Sequence, residues 1–258
     1  TLAMAAIAGI MITSCSSLTQ ARLGNATAGA ITALTLSDAQ VAQMSAEAVK
    51  HMDAQHSVAP ANNPYPIRPN QLTANMQKQG SLQLNYKVYL LNEINAFATG
   101  DGSIRVYSGL MDVMDDSELV AILGHEIGHV ANSDVKDAMK NAYLNYAARE
   151  AVSATSDKVA VISDSLLGDL VIAYTAAQFS HTQEFAAADF GYNVSVQQGY
   201  SPYSLRTALR KLVSISNGAP ASPVQQMFSS PPDRATPAPR MKATAATPHT
   251  STLKHNNR

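Results

Sequence analysis

Leu123-Gly124-His125-Glu126-Ile127-Gly128-His129-Val130 is the stretch on which the fold turns. It contains H-E-x-x-H inside a segment with helical character. Asp115 and Glu118 have the spacing of a capping box, with Asp in place of Ser or Thr. Leu119, Ile122, Leu123, Ile127 and Val130 then recur at helical spacing and give an apolar face. His125 and His129 are four residues apart, so both imidazoles lie on one face and can share one Zn²⁺. Glu126 is about 100° round from His125 on a 3.6-residue turn. There it can hold a water at the open coordination position and take its proton, once the metal has lowered that water's pKa toward about 7. A chance HExxH on a surface helix is the rival explanation. Burying unpaired His and Glu in an apolar helix would be costly, which favours the metal.

Three protein ligands are needed for a catalytic zinc. A second helical segment, Ser180-His181-Thr182-Gln183-Glu184-Phe185-Ala186-Ala187-Ala188-Asp189-Phe190-Gly191, begins 51 residues after His129. Glu184 is its candidate ligand. The apolar neighbours Phe179, Phe185 and Ala186 to Ala188 suit a helix packed against another, whereas an ordinary surface carboxylate would sit on a solvated face. A purely structural zinc site is disfavoured, because such sites take four protein ligands rich in Cys.

Outward from these boxes, Ser37-Asp38 offers an N-cap for a helix over Ala39 to His56. Ala59 to Pro69 holds four prolines and is expected to be a loop or turn, with a short helix over Asn70 to Gln79 after it. Tyr86 to Leu90, Ile94 to Ala98 and Ile104 to Tyr107 read as strands, the last two joined by a Gly100-Asp101-Gly102 hairpin turn. From Asp115 to about Ser216 the pattern is helical. The last 40 residues hold seven of the twelve prolines and no hydrophobic period, so 219–258 is expected to be a largely disordered tail.

The N-terminus carries a different signal. Leu2 to Ile12 is an 11-residue apolar stretch, followed by Thr13-Ser14-Cys15. This length fits a signal-peptide h-region, and small residues before the only Cys resemble the bacterial lipobox. Residues 1–15 are therefore expected to be a lipoprotein signal peptide preceded by further residues. Cys15 is the expected lipidation site, and 16–37 the flexible tether. Ser16, rather than Asp, after the Cys points to the outer membrane. With one Cys there is no internal disulfide. Charged residues make up 14%, and 18 Lys plus Arg against 19 Asp plus Glu leave no basic excess, which argues against nucleic acid as a partner.

Taken together, the HEIGH box, Ser180 to Glu184, Val88 to Leu90, Asn95-Ala96-Phe97-Ala98 and Ile104 to Leu110 resemble the zinc metallopeptidases of family 48. That family includes HtpX and the CAAX prenyl endopeptidases, and the likeness over about 37–216 is nearest to its small periplasmic lipoproteins. The resemblance implies an α+β, mostly helical zincin (gluzincin-like) fold with a small antiparallel sheet beside the HExxH helix, within a peptidase domain at 38–218. It implies one zinc on His125, His129 and Glu184, with Glu126 as base. It also implies that Asn95, Ala96 and Phe97 belong to the edge strand that pairs with extended substrate backbone.

The chain departs from the family at three positions. The family's Glu-x-Glu-Ala-Asp box has Ala186 for its second Glu and Ala188 for its Asp, and Pro231 stands where a His is expected. The missing Asp would orient a ligand imidazole, a role worth about 10–100-fold in affinity or activity. Asp189 is adjacent, one residue and 100° away, and is the candidate substitute. His181 reads as a polar helix residue. The expected function is hydrolysis of peptide bonds in misfolded envelope proteins, by a lipid-anchored protein on the periplasmic face of the outer membrane. The alternative is a weakened or inactive chaperone-like module of the same fold.

Overall fold

The structure, a computed structural model, describes residues 36–153, 164–176 and 179–215. The expected signal segment with Cys15, nearly all of the expected tether, Pro231 and the expected tail lie outside the described residues. Ser37 opens helix α1 (Asp38–Gln55): its hydroxyl accepts from the Gln40 N–H, and the Gln40 side chain accepts from the Ser37 N–H. Val41, Met44, Ser45, Ala48, Val49 and Met52 are buried at the three- and four-residue spacing of one helix face.

The proline-rich segment is a loop or turn, as its composition suggests, only over residues 59–63; beyond that it is helical. It forms helix α2 (Pro64–Leu72), capped by Asn63, whose side chain accepts from the Tyr65 N–H. Pro64 and Pro66 fall in the first turn, where backbone N–H groups have no intrahelical partner, so these rings forfeit no helix bond. Pro69 does remove one, and the helix ends at Leu72. The helix expected over Asn70–Gln79 is therefore replaced after its start. Strands β1 (Lys78–Gln79) and β2 (Leu82–Gln83) pair antiparallel there, and Gly80 at φ 59 turns the chain between them.

Strands β3 (Asn85–Tyr89), β4 (Ala96–Ala98) and β5 (Ser103–Tyr107) form one sheet in the order β3-β5-β4. The hairpin β4–β5 is antiparallel as expected, with Phe97 opposite Arg105. β3 instead joins β5 in parallel, Tyr86 beside Ile104, so the sheet is mixed rather than wholly antiparallel. The cause is the connection over residues 90–95, which places β4 beyond β5; a hydrophobic alternation reports which face is buried and not which way a neighbour runs. All five residues of β5 are buried, as befits the central strand.

The rest of the described chain is helical: α3 (Ser108–Val113), α4 (Asp116–Ala131), α5 (Asp134–Ser153), α6 (Asp164–Thr175), α7 (His181–Gln197) and α8 (Ser204–Ile215). Among the described residues, no helix is long and apolar enough to cross a membrane. The chain divides into two compact units. The first takes in the described residues through Leu110 and within Ser133–Ala177. There α1 packs on α5 and α6, and the Ser45 hydroxyl meets the Tyr174 hydroxyl at 2.8 Å. The second takes in Met111–Asn132 and the described residues from Phe179 onward, where α4 packs against α7 and α8.

Candidate metal centre

The HEIGH helix begins as its sequence predicts. The Asp115 carboxylate accepts from the Glu118 N–H at 2.9 Å, and Glu118 accepts from the Asp115 N–H at 3.0 Å. Glu118 is only 1% exposed and also takes the ammonium of Lys211 from α8, which donates to the Val113 carbonyl as well. The start of α4 is thus tied to α8 by a buried charge-assisted bond. Its end is set by Asn132 and by Ser133, which adopts the left-handed φ of 64.

The α7 helix is likewise started by a capping box, Ser180 with Gln183, which puts Glu184 in its first turn. Small residues bring α7 close to α4. A Cβ on Gly191 would lie 2.7 Å from the Ala121 carbonyl oxygen and 2.9 Å from the His125 nitrogen. One on Gly128 would lie 2.9 Å from the Ala187 Cα. Side chains at these points would push the two backbones apart and Glu184 away from the histidines. The glycines of the HEIGH box therefore do packing work that spacing arguments about its histidines overlook; Gly124 and Gly128, four apart on one helix face, are the signal for it.

His125, His129 and Glu184 are buried and converge. Their Nε2 atoms are 3.2 Å apart, and the Glu184 Oε2 lies 3.3 Å from His125 Nε2 and 3.8 Å from His129 Nε2. Ligands about 2.0–2.2 Å from a tetrahedral zinc are about 3.3–3.5 Å from one another, so this triangle has the right size. Its polar bookkeeping agrees. Glu184 Oε2 is buried with no hydrogen-bond partner among the described residues. A carboxylate oxygen left in that state is costly unless a cation completes it. The donor set among the described residues, two imidazoles and one carboxylate, suits zinc that does chemistry. The group can hold one metal ion.

Glu126 is half-buried beside the group. Burial pushes its carboxyl up, the charges of His125 and His129 pull it down, and Glu184 pushes it up again; the net direction is upward. The other expected residues spread out. Asp189 is half-buried one position past Ala188 and is not part of the converging group. Ala186 is exposed, so the Glu that the family carries there would point to solvent. Ala188 is 2% exposed, and His125 Nδ1 is buried with no hydrogen-bond partner among the described residues. His181 is an exposed residue at the start of α7.

On either side of β4, the Asn95 carbonyl accepts from the Tyr107 N–H, and the Thr99 N–H donates to the Ser103 carbonyl. By the alternation of an antiparallel ladder, Asn95, Phe97 and Thr99 turn their backbone groups toward β5, and Ala96 and Ala98 turn theirs to the outer edge. The Phe97 side chain is core, between Tyr89 and Tyr107. Sequence reasoning missed one aromatic contact: Phe179 stacks on His129 with centroids 4.0 Å apart and planes at 22°.

Residues 70–245 match peptidase family M48. The chain is 40% identical over 216 residues to metalloprotease LoiP of Escherichia coli, covering 82% of this chain and 84% of that one. It is 36% identical over 201 residues to metalloprotease YcaL of the same organism, covering 78% of each. A protease HtpX homolog of Burkholderia lata is 27% identical over 158 residues, 54% of each chain.

Proposed function

The chain belongs to peptidase family M48 and is a zinc metalloendopeptidase, and on that premise we propose that it cleaves misfolded proteins of the bacterial envelope while anchored by lipid on Cys15. The observation that carries the site assignment is the buried triangle of His125 Nε2, His129 Nε2 and Glu184 Oε2, in which the carboxylate oxygen has no other hydrogen-bond partner among the described residues. When bound there, zinc supplies a Lewis acid that polarises the scissile carbonyl and acidifies water. Glu126 accepts the proton of the attacking water on its carboxylate and gives it to the leaving amine. The outer edge of β4, through the backbone groups of Ala96 and Ala98, takes extended polypeptide by strand addition.

Envelope location rests on Leu2 to Ile12 and the Thr13-Ser14-Cys15 box, with Ser16 favouring the outer membrane. A second reading, a weakened enzyme that mainly holds chains, draws on two facts: His125 Nδ1 is buried with no hydrogen-bond partner among the described residues, and Ala188 stands where the family resemblance expects an acid. One experiment with two arms tests the proposal. The purified protein is expected to carry one zinc, to cleave casein, and to lose and regain that activity with chelator and added zinc. In cells, Cys15→Ser is expected to move the protein from the membrane to the soluble periplasmic fraction. Zinc without hydrolysis would favour the holding module, and equal partitioning of the two forms would sink the anchor.

A further inference from the structure

The two imidazoles of the group have different described surroundings. His125 Nδ1 finds no hydrogen-bond partner among the described residues. His129 lies flat against the ring of Phe179, centroids 4.0 Å apart, and its plane stands at 87° to the His125 ring, centroids 4.7 Å apart. We propose that Phe179 is a positioning residue for the metal site: its aromatic face fixes the plane of the His129 imidazole. Turning that imidazole about its Cβ–Cγ bond would open the stack on one side and close on the perpendicular His125 ring on the other. Its Nε2 therefore stays aimed at the point shared with His125 Nε2 and Glu184 Oε2. The inference rests on the zinc reading of this group.

Phe179 can do this because of where it sits in the chain. It immediately precedes Ser180, the residue that caps α7 and sets its first turn. One helix start thus delivers both the carboxylate ligand, Glu184, and the ring that steadies a histidine ligand. A carboxylate acceptor fixes an imidazole by its Nδ1–H; an aromatic face fixes it by its plane, without adding charge to a buried site.

The test replaces the ring in full-length protein. Phe179→Leu keeps apolar volume and removes the stack, and Phe179→Tyr restores it. Zinc affinity, by competition with a chromophoric chelator, is expected to fall about 2- to 10-fold in Phe179→Leu, the equivalent of one aromatic pair, and to recover in Phe179→Tyr. The visible spectrum of the cobalt-loaded protein is expected to shift in Phe179→Leu alone, while the melting temperatures of the metal-free forms agree. The chain has no Trp, so Phe179→Trp adds a single indole on His129, whose selectively excited emission is expected to respond to zinc. Unchanged affinity and cobalt spectrum in Phe179→Leu would overturn the inference alone. A parent that binds no zinc would overturn the metal reading, and this inference with it.

Discussion

Two polar clusters, one in each unit, are built on opposite terms. Around Asp53, every partner is in place. Arg105, 2% exposed, donates to both Asp53 oxygens at 2.8 and 3.0 Å and spends its remaining donors on the carbonyls of Asn85 and Ile104 and the Asn85 side chain. Lys87 and the Tyr89 hydroxyl complete the carboxylate. Burial alone would raise the Asp53 pKa, but these bonds and the Arg105 charge pull it down to about 2. Around Glu184, by contrast, one carboxylate oxygen and one imidazole nitrogen are buried without hydrogen-bond partners among the described residues. A cluster that satisfies itself serves the fold; one that leaves ligand atoms facing a common point is kept for a guest.

That contrast can be pressed from both sides. Arg105→Ala should cost about 3–5 kcal/mol of stability, the penalty for breaking a buried pair, read by denaturant unfolding. It falls toward the lower end because Asp53 keeps Lys87 and Tyr89. The sign with pH follows from the depressed pKa: the Asp53 contribution is present above its unfolded pKa near 3.8 and is lost as pH falls toward about 2. Glu126→Gln acts on the other cluster. It should leave zinc content and melting temperature unchanged and lower casein hydrolysis by at least about 100-fold, the share of a general base. Full activity would remove Glu126 from that role.

The smallest effect sharpens the comparison most. With Nε2 turned to a metal, the His125 proton sits on Nδ1, a buried donor without an acceptor among the described residues. Residue 188 is one turn from the ligand Glu184 on the same helix, and the family resemblance implies an acid there that orients a ligand imidazole, so Ala188→Asp is expected to supply an acceptor. Zinc affinity and activity should rise about 10-fold, by chelator competition and initial rates. No change beside a fully active parent would mean that Asp189 or another group already orients the imidazole.

Much of the site is written locally. HExxH spacing, the Asp115–Glu118 box and the apolar face of 119–130 are properties of one helix, and they place His125, Glu126 and His129 without knowledge of the rest. What escaped depends on contacts distant in sequence. The close approach permitted by Gly128 and Gly191 and the stack of Phe179 on His129 exist only once α7 lies on α4. In the first unit, prolines are usually read as breakers. Pro64 and Pro66 fall within a first helical turn, where the missing N–H costs nothing, and the reading fails there. The parallel β3 escaped because alternation is blind to strand direction.

The metal-free and zinc-loaded forms of Glu184→Ala test the role of the buried carboxylate most directly. If Glu184 is buried for a metal and not for the fold, the metal-free variant should melt at or above the metal-free parent, since the change removes a buried oxygen that has no hydrogen bond among the described residues. Zinc binding should weaken by at least about 100-fold, because a ligand is gone rather than one of its supporting partners. The contradicting result is the reverse pattern: a metal-free variant that is markedly destabilised, as for Arg105→Ala, with one zinc per chain still bound at the parental affinity.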